Sequence, residues 1–226
     1  MRVILASASP RRRELLKQIY DEFEIIPAEG EEERTTDDPA LLVEQLSAMK
    51  AREVYDRVMG ERPEAGSEVE PDLIVIGSDT VVAYDGHILG KPADEADAVR
   101  MLRMLSGNTH QVYTGVTIIT SGAGSAAEPS EANRGDTAED PMENPCFIRT
   151  FHEKTDVVFK QMTDEDIYDY VNTGEPMDKA GAYGIQGLGR KFVDHIIGDF
   201  DNVVGFPVAR VREEILQFHK LPRKPL

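Results

Sequence analysis

The sequence predicts a mixed α/β fold, a β-sheet with flanking helices, and three observations carry that prediction. Short apolar runs such as Val3-Ile4-Leu5-Ala6 and Leu73-Ile74-Val75-Ile76 read as buried strands. Stretches with apolar residues at helical spacing lie between them. Two later runs, VYTGVTIIT and FIRTFHEKTDVVF, read as a hairpin, which a purely parallel sheet would not contain. At 226 residues the chain is long enough for one domain with a substantial core, and residues 1–226 are read as a single domain.

In chain order, Val3 to Ala6 form the first strand and Ser7 to Ser9 turn the chain. Ser9-Pro10 is an N-cap followed by proline at the first helical position, and Leu15, Leu16 and Ile19 give that helix its apolar face. EFEIIP alternates as a second strand, and EGEEER follows as an acidic loop. Asp38-Pro39 caps a long helix with Leu42, Leu46, Met49 and Glu53 along one side. ERPEAGSEVEP is a polar loop. DLIVIGSDTVVAYDG then reads as two strand-like runs around Gly77-Ser78-Asp79-Thr80. A helix near Asp94 to Leu105 places Ala98, Met101, Leu102 and Leu105 on one face and stops at Gly107. Between the two hairpin strands, residues 121–146 carry small and acidic residues with little to bury, and read as a flexible acidic loop insertion. Thr163-Asp164-Glu165-Asp166 resembles a capping box for a helix ending near Gly174. The glycine-rich DKAGAYGIQGLG follows, and Pro207 to His219 is the last helix.

Composition excludes several classes of function. The formal charge of −17, from 25 basic and 42 acidic residues, argues against a nucleic-acid binder. An anionic ligand would need a local cationic pocket, which a divalent metal could supplement, to overcome that field. The apolar runs are too short for a membrane span, and the order of charges in MRVILASASPRRR is wrong for a secretory signal. Cys146, the single cysteine, permits no internal disulfide, so a cytoplasmic setting is expected. The histidines lack zinc-ligand spacing, and no Gly-x-Ser-x-Gly elbow is present.

Three places remain for chemistry. Arg11, Arg12 and Arg13 stand where a helix begins, an end that ordinarily attracts acidic residues; with the Ser-rich turn they suit phosphate, the alternative being a solvated face. Asp79, after the apolar LIVIGS, would sit at a strand end, where it could hold Mg²⁺, take a proton from water, or merely cap a turn; Lys91 in ILGKP adds a point charge for phosphate. Gln186, among the glycines of the third segment, offers both an amide donor and an acceptor to a base edge.

Eight fragments in order resemble the Maf family of nucleoside-triphosphate pyrophosphatases: LASASPRRRELL, Glu31-Glu32, KAREV, VIGSDTVV, ILGKPAD, MLRMLSGNTHQVYTGV, DKAGAYGIQGLG and GDFDNVVGFPV. They cover nearly the whole chain apart from the 121–146 insert and the loop near residues 61–71. The resemblance implies two lobes around a deep cleft, similar to the inosine-triphosphate pyrophosphatases. It implies hydrolysis of a nucleoside triphosphate to the monophosphate and pyrophosphate with a divalent cation, Mg²⁺ or Mn²⁺. By the same resemblance Asp79 is the proton acceptor, Ser7 starts the phosphate turn, and Arg11, Arg12, Glu32, Lys50 and Lys91 are polar cleft residues. Glu32 and Asp79 would hold the metal, or one of them would poise the water. Arg11, Thr80 and Gln186 match the positions associated with base choice, in the set carried by the branch acting on dTTP and UTP; modified pyrimidine nucleotides fall within the same expectation. The other reading is a non-catalytic nucleotide-binding regulator of cell division. Neither nucleic acid nor membrane is an expected partner, and a homodimer is compatible with everything above.

Overall fold

The computed structural model describes residues 1–60, 72–121 and 146–220. Both the polar loop expected at 61–71 and the interior of the 121–146 insertion lie outside them. The elements are β1 (Arg2–Leu5), α1 (Pro10–Leu16), β2 (Glu24–Ile25), α2 (Pro39–Gly60), β3 (Leu73–Tyr84), β4 (His87–Leu89), α3 (Glu95–Leu105), β5 (Thr109–Ser121), β6 (Cys146–Phe159), α4 (Asp164–Val171), β7 (Val193–Ile197), α5 (Phe200–Val204) and α6 (Val208–Lys220). Among the described residues the strands form one seven-stranded sheet in the order β2-β1-β3-β5-β6-β7, with β4 beside β3. β1 is parallel to β2 and β3, and every other pairing is antiparallel. The mixed α/β fold and the β5–β6 antiparallel pair are as the sequence predicts.

One expectation is corrected. The residues around Gly77-Ser78-Asp79-Thr80 do not turn between two strands; β3 runs straight through them. Its register with β5 is unbroken from Leu73 opposite Ser121 to Ala83 opposite Gln111, so the ladder holds where the glycine suggested a turn. Asp79 therefore lies within a strand, neither at its end nor in a turn. β4, β7 and α5 were not anticipated: the first is three residues after the Asp85-Gly86 turn, and α5 has only five residues.

Successive side chains of β3 point to opposite faces. Leu73, Val75 and Val81 pack with α2 residues Val43, Leu46, Ala51 and Val54 on one face. Ile74, Ile76 and Val82 join the larger core on the other, with Leu15 and Leu16 of α1, Leu102 of α3, Tyr170 of α4 and Val211 of α6. Local caps match the sequence. Asp38 Oδ1 accepts from the N–H groups of Ala40 and Leu41 at 2.9 and 3.2 Å, and Thr163 and Asp166 complete a reciprocal capping box. No helix among the described residues is long and apolar enough to cross a membrane.

Candidate functional site

The sheet opens at one point. β1 stops pairing with β3 at Leu5–Ile76, and β4 takes up the same edge only at Val82–Leu89. Between them, Gly77 to Val81 have no partner strand on that edge among the described residues. The chain leaving β1 turns through Ser7–Ser9 into α1 beside this gap. A cavity of about 580 Å³ lies over it, and Ser7, Arg11, Arg12, Glu32, Lys50, Asp79, Thr80, Lys91 and Gln186 all line it. Nine residues singled out from the sequence thus meet in one space, although they span 180 positions of the chain, from 7 to 186. Arg13, singled out with Arg11 and Arg12, does not line it, and its Nε stands 3.6 Å from Glu14 Oε1.

On the α2 side of β3, Lys50 joins two carboxylates. Its Nζ stands 2.6 Å from Asp79 Oδ1 and 2.8 Å from Glu32 Oε1. The Asp79 side chain is 11 % exposed and that of Glu32 52 %, so one is sheltered on a strand and the other stands open on a loop. Burial pushes the Glu32 carboxyl upward, but the Lys50 hydrogen bond and charge, with Lys91 and Arg12, outweigh it and hold the group below the usual carboxylate range. Asp79 Oδ2 accepts no protein hydrogen bond among the described residues. Glu53, read from the sequence only as a marker of a helix face, fixes the loop that carries Glu32: its two oxygens accept from the N–H groups of Glu29 and Gly30 at 2.8 and 3.0 Å.

On the other side of β3, Arg12 is held by the protein. Nε donates to the Gly205 carbonyl at 3.0 Å, Nη1 to Ser7 Oγ at 3.1 Å and Nη2 to Thr80 Oγ1 at 3.0 Å. Gly205 closes α5 at φ +118, a conformation that favours glycine, and its carbonyl also receives the Ser78 hydroxyl at 3.2 Å. Burial draws the Arg12 guanidinium somewhat below its ordinary value, while the charges of Asp79 and Glu32 pull it back. Arg12 is therefore not an open cation as the sequence suggested: three of its five N–H groups are engaged. Arg11 and Lys91 make no ion pair or hydrogen bond with the protein among the described residues.

The glycine-rich segment forms the far wall. Glu175, which precedes it, accepts from Tyr170 Oη at 2.9 Å and from the N–H groups of Leu188 and Gly189 at 2.9 and 3.1 Å. Lys179 is turned inward, its Nζ donating to the Glu175 carbonyl at 2.7 Å and to Asp178 Oδ1 at 2.6 Å. Gln186 is exposed to the cavity and makes no side-chain hydrogen bond among the described residues. Asp178, Lys179 and Tyr183 also line the space. Nothing in the sequence pattern marks these three as lining residues, because the glycines and Gln186 carry the signal of that segment.

Among the described residues, no three His, Cys, Asp or Glu side chains gather as an all-protein metal cage. The donor set does fit a hard divalent cation brought in with phosphate: Glu32 and Asp79 converge on one Nζ, and Mg²⁺ commonly takes one or two carboxylates with waters and substrate phosphate oxygens.

A family model described as Maf-like protein matches residues 2–218. Among curated relatives, the dTTP/UTP pyrophosphatase of Agathobacter rectalis is 49 % identical over 214 residues, 94 % of this chain and 95 % of that one. That of Thermococcus onnurineus is 44 % identical over 209 residues, 92 % and 94 % of the two chains. That of Bacillus cereus strain AH187 is 42 % identical over 219 residues, 96 % of each. Among solved structures, the Staphylococcus aureus Ham1 protein aligns with a TM-score of 0.42 and 13 % identity, covering 97 % of this chain and 100 % of that one.

Proposed function

The chain belongs to the Maf family, and from that premise we propose that it hydrolyses dTTP and UTP to the monophosphate and pyrophosphate, a range that extends to modified pyrimidine nucleotides. The names of the relatives support the substrate class. The observation that carries the chemistry is the Lys50 bridge: a sheltered carboxylate, fixed at Oδ1, has Oδ2 free of protein hydrogen bonds among the described residues, in a cavity that Arg11 and Lys91 line with no protein partner among those residues.

Arg11, Lys91 and the two remaining N–H groups of Arg12 attract the triphosphate. Lys50 orients Asp79, whose Oδ2 takes a proton from water as the water oxygen bonds to the α-phosphorus. The bond from that phosphorus to the α–β bridging oxygen breaks, and pyrophosphate leaves with the bridging oxygen. The fixed guanidinium of Arg12 stabilises the charge that develops on it. Mg²⁺ or Mn²⁺ held by Glu32 and Asp79 would supply charge neutralisation at the phosphates. Gln186 gives its amide N–H to a pyrimidine carbonyl and accepts from N3–H, a pairing that uracil and thymine satisfy and cytosine does not.

A panel of dTTP, UTP, dCTP, ATP and GTP with Mg²⁺ at equal subsaturating concentration, scored by pyrophosphate release as kcat/KM, tests this. dTTP and UTP should lead, and Asp79→Asn should lose about 10²- to 10⁴-fold in turnover while remaining folded by circular dichroism. A purine triphosphate in first place would overturn the base assignment. Binding without turnover in the wild type would favour the non-catalytic regulator instead.

A further inference from the structure

We propose that Thr114, which does not line the cavity, is a positioning residue that sets the direction of the Arg12 guanidinium; the proposal rests on the pyrophosphatase reading above. The Asn202 backbone carbonyl can only accept, so the Thr114 hydroxyl, 2.9 Å away, donates to it. Having used its one hydrogen, Thr114 must accept across the 3.0 Å contact with Thr80. The Thr80 hydroxyl is thus the donor there, and it meets Arg12 Nη2 at 3.0 Å as an acceptor. The chain runs one way only, from Arg12 through Thr80 and Thr114 to the Asn202 carbonyl.

The far end of this chain is anchored. Asn202 is fully buried, and its Nδ2 donates to the Val112 carbonyl at 3.1 Å and to Thr155 Oγ1 at 2.9 Å. Its backbone carbonyl also receives the Gly205 N–H at 3.0 Å, and Gly205 in turn takes Arg12 Nε. Two of the three arms that hold the guanidinium, through Nε and Nη2, therefore return to α5 and its C-cap Gly205, while the third, Nη1, ends on Ser7. With Nε, one Nη1–H and one Nη2–H engaged, the remaining hydrogen on each Nη forms a fork of fixed direction on the cavity wall. Removing the Thr114 hydroxyl would free the Thr80 hydrogen to rotate toward Arg12, where a donor would face a donor, and the fork would lose its direction.

Thr114→Val keeps the shape of the side chain and deletes the relay; Thr114→Ser keeps the relay and deletes a methyl group. The expected result is a loss of about 10- to 100-fold in kcat/KM for dTTP in Thr114→Val, with most of the activity retained in Thr114→Ser. In arginine-labelled protein, the Arg12 Nη–H resonances should be separately resolved in the wild type and in Thr114→Ser, and averaged by rotation in Thr114→Val. Equal losses in both variants would show a packing role and overturn the proposal, as would a fully active Thr114→Val with Arg12 still restricted. Should Thr114→Val not fold, the wild-type spectrum decides, since a freely rotating Arg12 is incompatible with the relay. A wild type that hydrolyses no triphosphate would refute the pyrophosphatase reading, while the resonance comparison would still decide what Thr114 does.

Discussion

Arg12 donates to Ser7, Thr80 and Gly205, whereas Lys91 donates to no protein group among the described residues; two cations that line one cavity are thus divided into one held by the protein and one without a protein partner there. The sequence shows both as cationic and close to turns, but not this division, because the partners of Arg12 lie as far as 193 positions away. His110 is a second case. A lone histidine on β5 gives no sequence signal, yet in the structure it is fully buried, with Nε2 2.8 Å from the hydroxyl of Tyr183, and its ring is edge-on to Phe159 and Tyr183. Burial lowers its imidazole to about 3, with the charge of Asp156 pulling weakly the other way. Between the ordinary value near 6.5 and that value, the unfolded chain takes a proton that the folded chain refuses. Stability from this group is therefore full above about pH 6.5 and falls as the pH drops toward 3. From pH 7.5 to 5 the expected loss is about 2 kcal/mol, set almost wholly by the unfolded-state value. His110→Gln, which cannot titrate but can still meet the Tyr183 hydroxyl, should show a drop smaller by about that amount in urea unfolding at the two pH values. An identical pH slope in the variant would refute the assignment.

Helix α2 is the element that brings Lys50, Asp79 and Glu32 together, and it does so by resting on backbone. A Cβ on Gly115 of β5 would stand 2.1 Å from the Val43 carbonyl oxygen, and one on Gly77 of β3 2.3 Å from that of Ser47. Those contacts let α2 lie close enough for Lys50 to reach Asp79, and for Glu53, one turn on, to hold the loop bearing Glu32. The helix itself was legible, from the Asp38-Pro39 cap and the apolar spacing. Its depth was not, because a glycine within a strand signals either a turn or a close approach, and sequence pattern alone does not choose between them. The strand–turn–strand reading of Gly77 failed for that reason. Gly115→Ala must lift α2 or bend β5, at a cost of about 1–3 kcal/mol. The melting temperature should fall by roughly 2–4 °C per kcal/mol in a chain of this size. kcat/KM for dTTP should fall with it as Lys50 is drawn away from Asp79. Gly60→Ala at the end of the same helix, with nothing within 4 Å of the added carbon, is the matched control and should lower neither quantity, helix propensity favouring alanine there.

Across the whole molecule, the cavity is walled by parts of the chain that lie far apart in sequence. The turn after β1 with the start of α1, the loop of Glu32, helix α2, the break in the edge of β3 and the glycine-rich segment each supply a wall. Local pattern announced most of these pieces, and the order of the family fragments announced that they belong together. It could not announce the break in the sheet between β1 and β4, since that follows from where two short strands stop. A ligand that touches every wall should therefore stabilise the fold as a unit, against a background charge of −17 that disfavours any anion the cavity does not hold. An α,β-methylene analogue of dTTP, which cannot be cleaved at the reacting bond, isolates binding from turnover. At about 100 times its dissociation constant, in the presence of Mg²⁺, linkage gives roughly 2.7 kcal/mol. That corresponds to a rise in melting temperature of about 5–11 °C for this chain length. The matching ATP analogue at the same concentration should give a clearly smaller rise, because Gln186 finds no adjacent carbonyl and ring N–H on adenine. Equal shifts from both analogues would place recognition in the triphosphate alone and leave Gln186 without a part in choosing the base.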